Sequence, residues 1–201
     1  MTTQKTIYTS HPRRGRLIIL CLVGLIALVL AVFGIVAGVR ASQRGKLRQA
    51  YPALTAPEGV AVADEPLSAR LERVDYAADA TILSRLPAQQ EDSDTLVPVD
   101  RYEVQVNAAI AGSGPKRFVL VQPHAYEGYF LRLEPGSRLV LLLTEQPLLR
   151  EGIYTLSGWG ADCFYVSEDE RVAPALEGTK LDSYLDGKLT DLKGDIARMW
   201  K

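Results

Sequence analysis

Covalent catalysis in this chain could be built around very few side chains. Cys21 and Cys163 are its only cysteines, and His11 and His124 its only histidines. A thiol or hydroxyl nucleophile needs a base within hydrogen-bond reach, so such an enzyme would rest on His124 working with Cys163 or a serine. The local patterns that carry a site of this kind are missing. Gly112-Ser113-Gly114 has the residues of a turn, and Ser157-Gly158 lacks the motif that precedes a nucleophile elbow. A single histidine beyond the N-terminal segment excludes a two-histidine metal site there. Glu91, Asp92 and Asp94 crowd together, but without the glycine and closing glutamate of a calcium loop. The expectation is no catalysis, no cofactor and no metal, with an envelope enzyme using His124 or Cys163 as an alternative. His124 reads as a loop residue, and Cys21 and Cys163 as small hydrophobes whose placement does not suit a disulfide.

Binding has more material. Tyr126, Tyr129, Phe130, Tyr154, Trp159, Phe164 and Tyr165 concentrate in one part of the chain, and Gly128, Gly158 and Gly160 would let another molecule approach closely. Most of these rings must fill a core. Tyr126 and Trp159, in expected loops, are the candidate partner-binding surface.

What must position these residues begins with an apolar run. Leu17 to Val39 is 23 residues without a charge, and 16 of them are Leu, Ile, Val or Phe. As a helix the run is about 34 Å long, enough for a hydrocarbon core of about 30 Å. Its length favours a retained signal anchor over a cleaved leader, whose apolar region is about 7–15 residues. Val39-Arg40-Ala41 leaves a secreted form, cleaved near Ala41 to begin at Ser42, as the alternative. Within the run, Gly24, Ala27, Ala31, Gly34 and Gly38 follow at spacings of three and four and so share one stripe, a candidate face for pairing with a second copy or another membrane helix.

Charge orders the rest. The first 48 residues hold eight Lys or Arg and no acid, whereas the remainder holds 15 basic and 24 acidic residues, a formal −9. Nucleic acid is therefore not an expected partner, since its affinity comes from basic side chains. Four cations precede the run and Arg40, Arg44, Lys46 and Arg48 follow it, so the positive-inside count is tied. A long domain translocates largely regardless of charge, which places the N-terminus in the cytoplasm and the C-terminal domain outside the cell membrane. The expected organisation is a basic tail over 1–16, the transmembrane helix over 17–39, a basic flank and proline-containing tether over 40–66, and an extracytoplasmic domain over 67–201.

In that domain, Asp64 could cap a short helix with Pro66 in its first turn and Leu67, Leu71, Val74 and Ala78 on one face. Strands are expected around Ala80–Leu83, through Tyr102–Ile110 by alternation, at Phe118–Val121, about Tyr129–Leu133, at Leu139–Leu143, at Ile153–Ser157 and at Cys163–Val166. Five apolar residues in succession at Leu139–Leu143 predict a strand covered on both faces. Leu189, Leu192, Ile196 and Met199 predict a C-terminal helix packed on the sheet, with Thr190 as its cap. The fold class is thus one N-terminal transmembrane helix plus a mainly-β small barrel or sandwich with flanking helices.

The succession Ala78-Asp79-Ala80-Thr81-Ile82-Leu83, Tyr102-Glu103-Val104-Gln105-Val106, Leu133-Glu134-Pro135-Gly136-Ser137-Arg138 with Leu139 to Leu143, and the glycine pair before Cys163-Phe164-Tyr165-Val166 resembles the small OB-like or netrin-like barrels of bacterial envelope proteins. It departs from them at Ala111-Gly112, where such domains commonly carry Lys-Gly. The resemblance, over residues 67–175, implies a fold and an envelope location and implies no particular activity.

Overall fold

The computed structural model describes residues 13–54, 64–87, 99–123, 131, 133–145, 152–156 and 162–201, with side chains in the first helix at 25, 26 and from 28 onward. The chain divides after Gln43 into two units. The first consists of most of helix α1, Arg13–Ala50, in which the Leu17–Val39 run is helical throughout. Among the described residues, Leu28–Ala50 is the one stretch long and apolar enough to cross a membrane, and its described residues up to Lys46 are exposed.

The second unit is a closed barrel with added layers. Strands β1 Tyr76–Leu86, β2 Val99–Gly112 and β3 Arg117–Pro123 form an antiparallel meander. Strand β4, Arg138–Glu145, pairs antiparallel with β1. Strand β5, Ile153–Leu156, pairs antiparallel with β4 and parallel with β3, which closes the ring β1-β2-β3-β5-β4. Closure leaves no open edge around the ring, the usual hazard of a small sheet. Three register shifts in the β1–β2 ladder, after Ala77, Asp79 and Ile82, supply the local bends a tight barrel needs. Strand β6, Cys163–Val166, pairs along the same edge of β4 as β5, and β7 Arg171–Pro174 and β8 Gly187–Lys188 extend the sheet beyond it.

Alternation along β4 explains its unbroken apolar sequence. Leu139, Leu141 and Leu143 join Ala78, Ala80, Ile82, Val104, Leu120 and Cys163 in the barrel core. Val140 and Leu142 face the other way, into a second core with Phe164, Val172, and the residues of helices α2 Leu67–Leu71 and α3 Leu189–Met199. All five β4 residues are fully buried, as a strand sandwiched between two apolar layers requires.

Some expectations are corrected. The helix predicted through Ala78 stops at Leu71, and Ala78 lies in β1, because both edges of β1 find partners in β2 and β4 that satisfy its backbone. Asp64 does not cap α2; its carboxylate accepts from the Lys180 backbone N–H at 2.8 Å. Lys188, not Thr190, occupies the cap of α3. Two further strands and a 3-10 helix, Lys180–Tyr184, follow β6 where none was predicted. Of the expected strand at Tyr129–Leu133, Leu131 and Leu133 are buried outside any strand, and the rest lies outside the described residues.

The start of the second unit is more tightly held than a tether. From Arg44 the last turns of α1 belong to this unit, and Leu47, Tyr51 and Leu54 pack against the barrel core. The Tyr51 and Tyr165 rings stack with centroids 5.3 Å apart. Leu54 makes a parallel bridge to Leu176, its N–H donating to the Ala175 carbonyl at 2.8 Å. Arg48 donates to the Pro174 carbonyl at 2.6 Å and to Asp182 at 3.2 Å.

Candidate functional site

Cys163 starts β6 and points into the barrel, where it is fully buried. Burial first, and the neighbouring Asp162 second, push its thiol well above the ordinary value. A protonated thiol without solvent access is a poor nucleophile, so the reactive-cysteine alternative finds no chemistry at this position. His124, its suggested partner, lies outside the described residues, as do Tyr126 and Trp159 of the candidate binding surface and the acidic Gln89–Thr95 segment. Among the described residues, no group of three or more His, Cys, Asp or Glu could hold a metal ion.

Among the described residues the barrel buries charge at Asp79 and at the Arg70–Asp162 pair, and both hold the fold together. Asp79 lies on the outer side of β1 in an otherwise apolar segment and is 1 % exposed. It accepts from Arg138 Nε at 3.0 Å and Nη2 at 2.8 Å, from Lys193 Nζ at 2.6 Å and from Asn107 Nδ2 at 3.2 Å. Burial by itself would raise the carboxyl, but hydrogen bonds from Arg138, Lys193 and Asn107 outweigh it and hold the group below the usual carboxylate range. Strands β1, β2 and β4 and helix α3 are thereby pinned through one side chain. Held ionised by two cations, Asp79 is unsuited to proton transfer near neutral pH.

The second place is a buried ion pair. Arg70 of α2 donates to Asp162 at 2.7 Å, with both side chains almost wholly out of water, while the Asp162 carbonyl accepts from the Leu142 N–H at 2.9 Å. Asp162 directly precedes β6, so α2 clamps the chain where that strand begins. A pair this deep stabilises little in net terms but is costly to break on one side. Nothing in the sequence reading singled out these residues. The available signal was a lone aspartate in Tyr76-Ala77-Ala78-Asp79-Ala80, since a charge in a buried strand must find partners.

On α1 the small-residue stripe is partly described. Ala31, Gly34 and Gly38 are exposed, and a Cβ at Gly34 or Gly38 would meet nothing within 4 Å. Gly24 and Ala27 are helical but their surroundings fall outside the described side chains. Ten large apolar residues between Leu25 and Val39 are each 44–70 % exposed. The acidic unit shows nothing comparable, Leu83 being the one large apolar side chain among its described residues that is exposed.

The chain matches no protein-family model, and no curated protein is significantly similar to it in sequence. Among the described residues the chain combines one helix long and apolar enough to cross a membrane with a closed five-stranded barrel domain flanked by helices.

Proposed function

We propose that this protein is a single-pass cell-membrane protein of the bacterial envelope, anchored by α1, whose acidic extracytoplasmic barrel binds or scaffolds another molecule without catalysis, cofactor or metal. The observation that carries this is the apolar surface of α1, ten large side chains between Leu25 and Val39 at 44–70 % exposure. Such a surface is far beyond what water tolerates and matches what lipid requires. The barrel fits the OB-like or netrin-like resemblance, since OB-folds are five-stranded barrels filled by their own side chains. Tyr126 and Trp159 remain the proposed partner surface, and Gly24, Ala27, Ala31, Gly34 and Gly38 the proposed helix-pairing face. The basic N-terminal tail is placed in the cytoplasm.

Carbonate washing of membranes, followed by protease treatment of intact and permeabilised cells, tests the anchor and its orientation. The protein should stay in the pellet and its C-terminal domain should be cleaved from outside. Release of the full-length chain would refute the anchor. Crosslinking of a Gly34→Ile, Gly38→Ile variant tests the pairing face, which is refuted if crosslinks persist undiminished. The secreted alternative has one observation in its favour: the second unit begins at Arg44, so cleavage near Ala41 would spare Leu47, Tyr51 and Leu54, which pack against the barrel core. Recovery from the medium of a protein beginning at Ser42 would establish that form instead.

A further inference from the structure

Four cations follow the apolar run of α1, and the structure treats them differently. Arg48 is taken up by the domain, bonded to the Pro174 carbonyl and Asp182. Arg40, Arg44 and Lys46 are exposed, and neither Arg44 nor Lys46 forms an ion pair with a described carboxylate of its own unit. All three lie in helix. At about 1.5 Å per residue they fall within about 11 Å of Val39 along α1, and a headgroup layer about 5–7 Å deep is within reach of their flexible stems. Arg40 and Arg44 are one turn apart on the same face, and at 100° per residue Lys46 points away from both. The cations therefore lie on two sides of the helix, Arg40 with Arg44 on one and Lys46 on another.

We propose that Arg40, Arg44 and Lys46 form a binding site for the phosphate groups of anionic phospholipids in the leaflet on the domain's side, which presupposes that α1 crosses the membrane. Guanidinium groups bind phosphate oxygens through paired hydrogen bonds, and the ammonium adds a point charge. The attraction is strongest close to the lipid surface and is screened within about one Debye length. It would also hold an acidic domain at a surface that otherwise repels it.

The full-length chain, reconstituted in phosphatidylcholine bilayers, tests this by spin-label spectroscopy. The measurement is the share of motionally restricted phosphatidylglycerol relative to phosphatidylcholine probe. A Lys5→Gln, Arg13→Gln, Arg14→Gln, Arg16→Gln background removes the four side-chain cations that precede the apolar run. In that background a several-fold, salt-sensitive preference for phosphatidylglycerol is expected, falling to near unity when Arg40→Gln, Arg44→Gln and Lys46→Gln are added. The three side chains are exposed, so the barrel's circular dichroism should not change. A preference that is absent from the background, or that survives the added triple substitution, overturns the proposal while leaving the anchor standing. Absence of any restricted lipid would instead show that α1 is not in the bilayer and overturn both.

Discussion

Replacing Asp79 with asparagine should destabilise the barrel domain in a way that depends on pH. The native carboxylate receives two hydrogen bonds from Arg138 and one from Lys193. Charge-assisted bonds are worth about 1.5–3 kcal/mol each, so three give about 6 kcal/mol in gross terms. Burying the carboxylate costs several kcal/mol in lost hydration, and Arg138 and Lys193, about a third exposed, regain water when the charge is removed. The net loss expected is about 2–3 kcal/mol, or about 5–10 °C in Tm for a domain of this size. The sign of the pH dependence follows from the lowered native pKa: the contribution is complete above the unfolded value of about 3.9 and is lost as pH falls through the native value. Asparagine has no such titration. Thermal unfolding of the full chain in detergent, followed by near-ultraviolet circular dichroism at pH 7 and pH 3, reads both effects, because the other carboxylates are common to both proteins. A loss under about 1 kcal/mol at pH 7, or an equal loss at the two pH values, would refute the hub.

The stem offers a boundary test. A fragment from residue 64 should be less stable than one from residue 44 by about 4–6 kcal/mol, because it lacks the Tyr51 stack, the Arg48 hydrogen bonds and the packing of Leu47 and Leu54; equal urea midpoints would show that 44–54 is only a linker. Gly112 has φ +73°, and a Cβ there would lie 2.3 Å from the Asp75 carbonyl oxygen. Gly112→Ala should cost about 2–3 kcal/mol, against about 1 kcal/mol for Gly136→Ala at φ +89° in open space, and similar losses for the two would remove the close-approach explanation. In a Cys21→Ser background, Cys163 should resist alkylation until the protein is unfolded, so stoichiometric labelling of the native protein would contradict its burial.

Much of the barrel was legible because strand alternation is a local signal. Tyr102 to Ile110 and Leu139 to Leu143 reveal one-sided and two-sided burial directly. The segment around Val74 to Ala78 misled because small apolar residues fit either period, and only the pairing of β1 with strands about 30 and 65 residues away decides it. Strand β7, Arg171-Val172-Ala173-Pro174, has one large apolar residue and ends on proline, and β8, Gly187-Lys188, has none, so neither carries a strand pattern of its own. Tyr126 and Trp159 fall outside the described residues, whereas the Asp79 and Arg70–Asp162 contacts join residues distant in sequence and could not be read from spacing.

By itself the sequence determined the apolar helix, the acidic character of the domain that follows and most of its strands, because hydropathy and alternation act over a few residues. Tertiary structure alone decided which strands close the ring, that Cys163 is sealed inside, that Asp79 and Arg70 find their partners, and that Leu47 to Leu54 belongs to the domain. Those outcomes depend on the free energy of contacts made across the whole chain, where burying a charge or a backbone edge is tolerated only when a distant segment satisfies it.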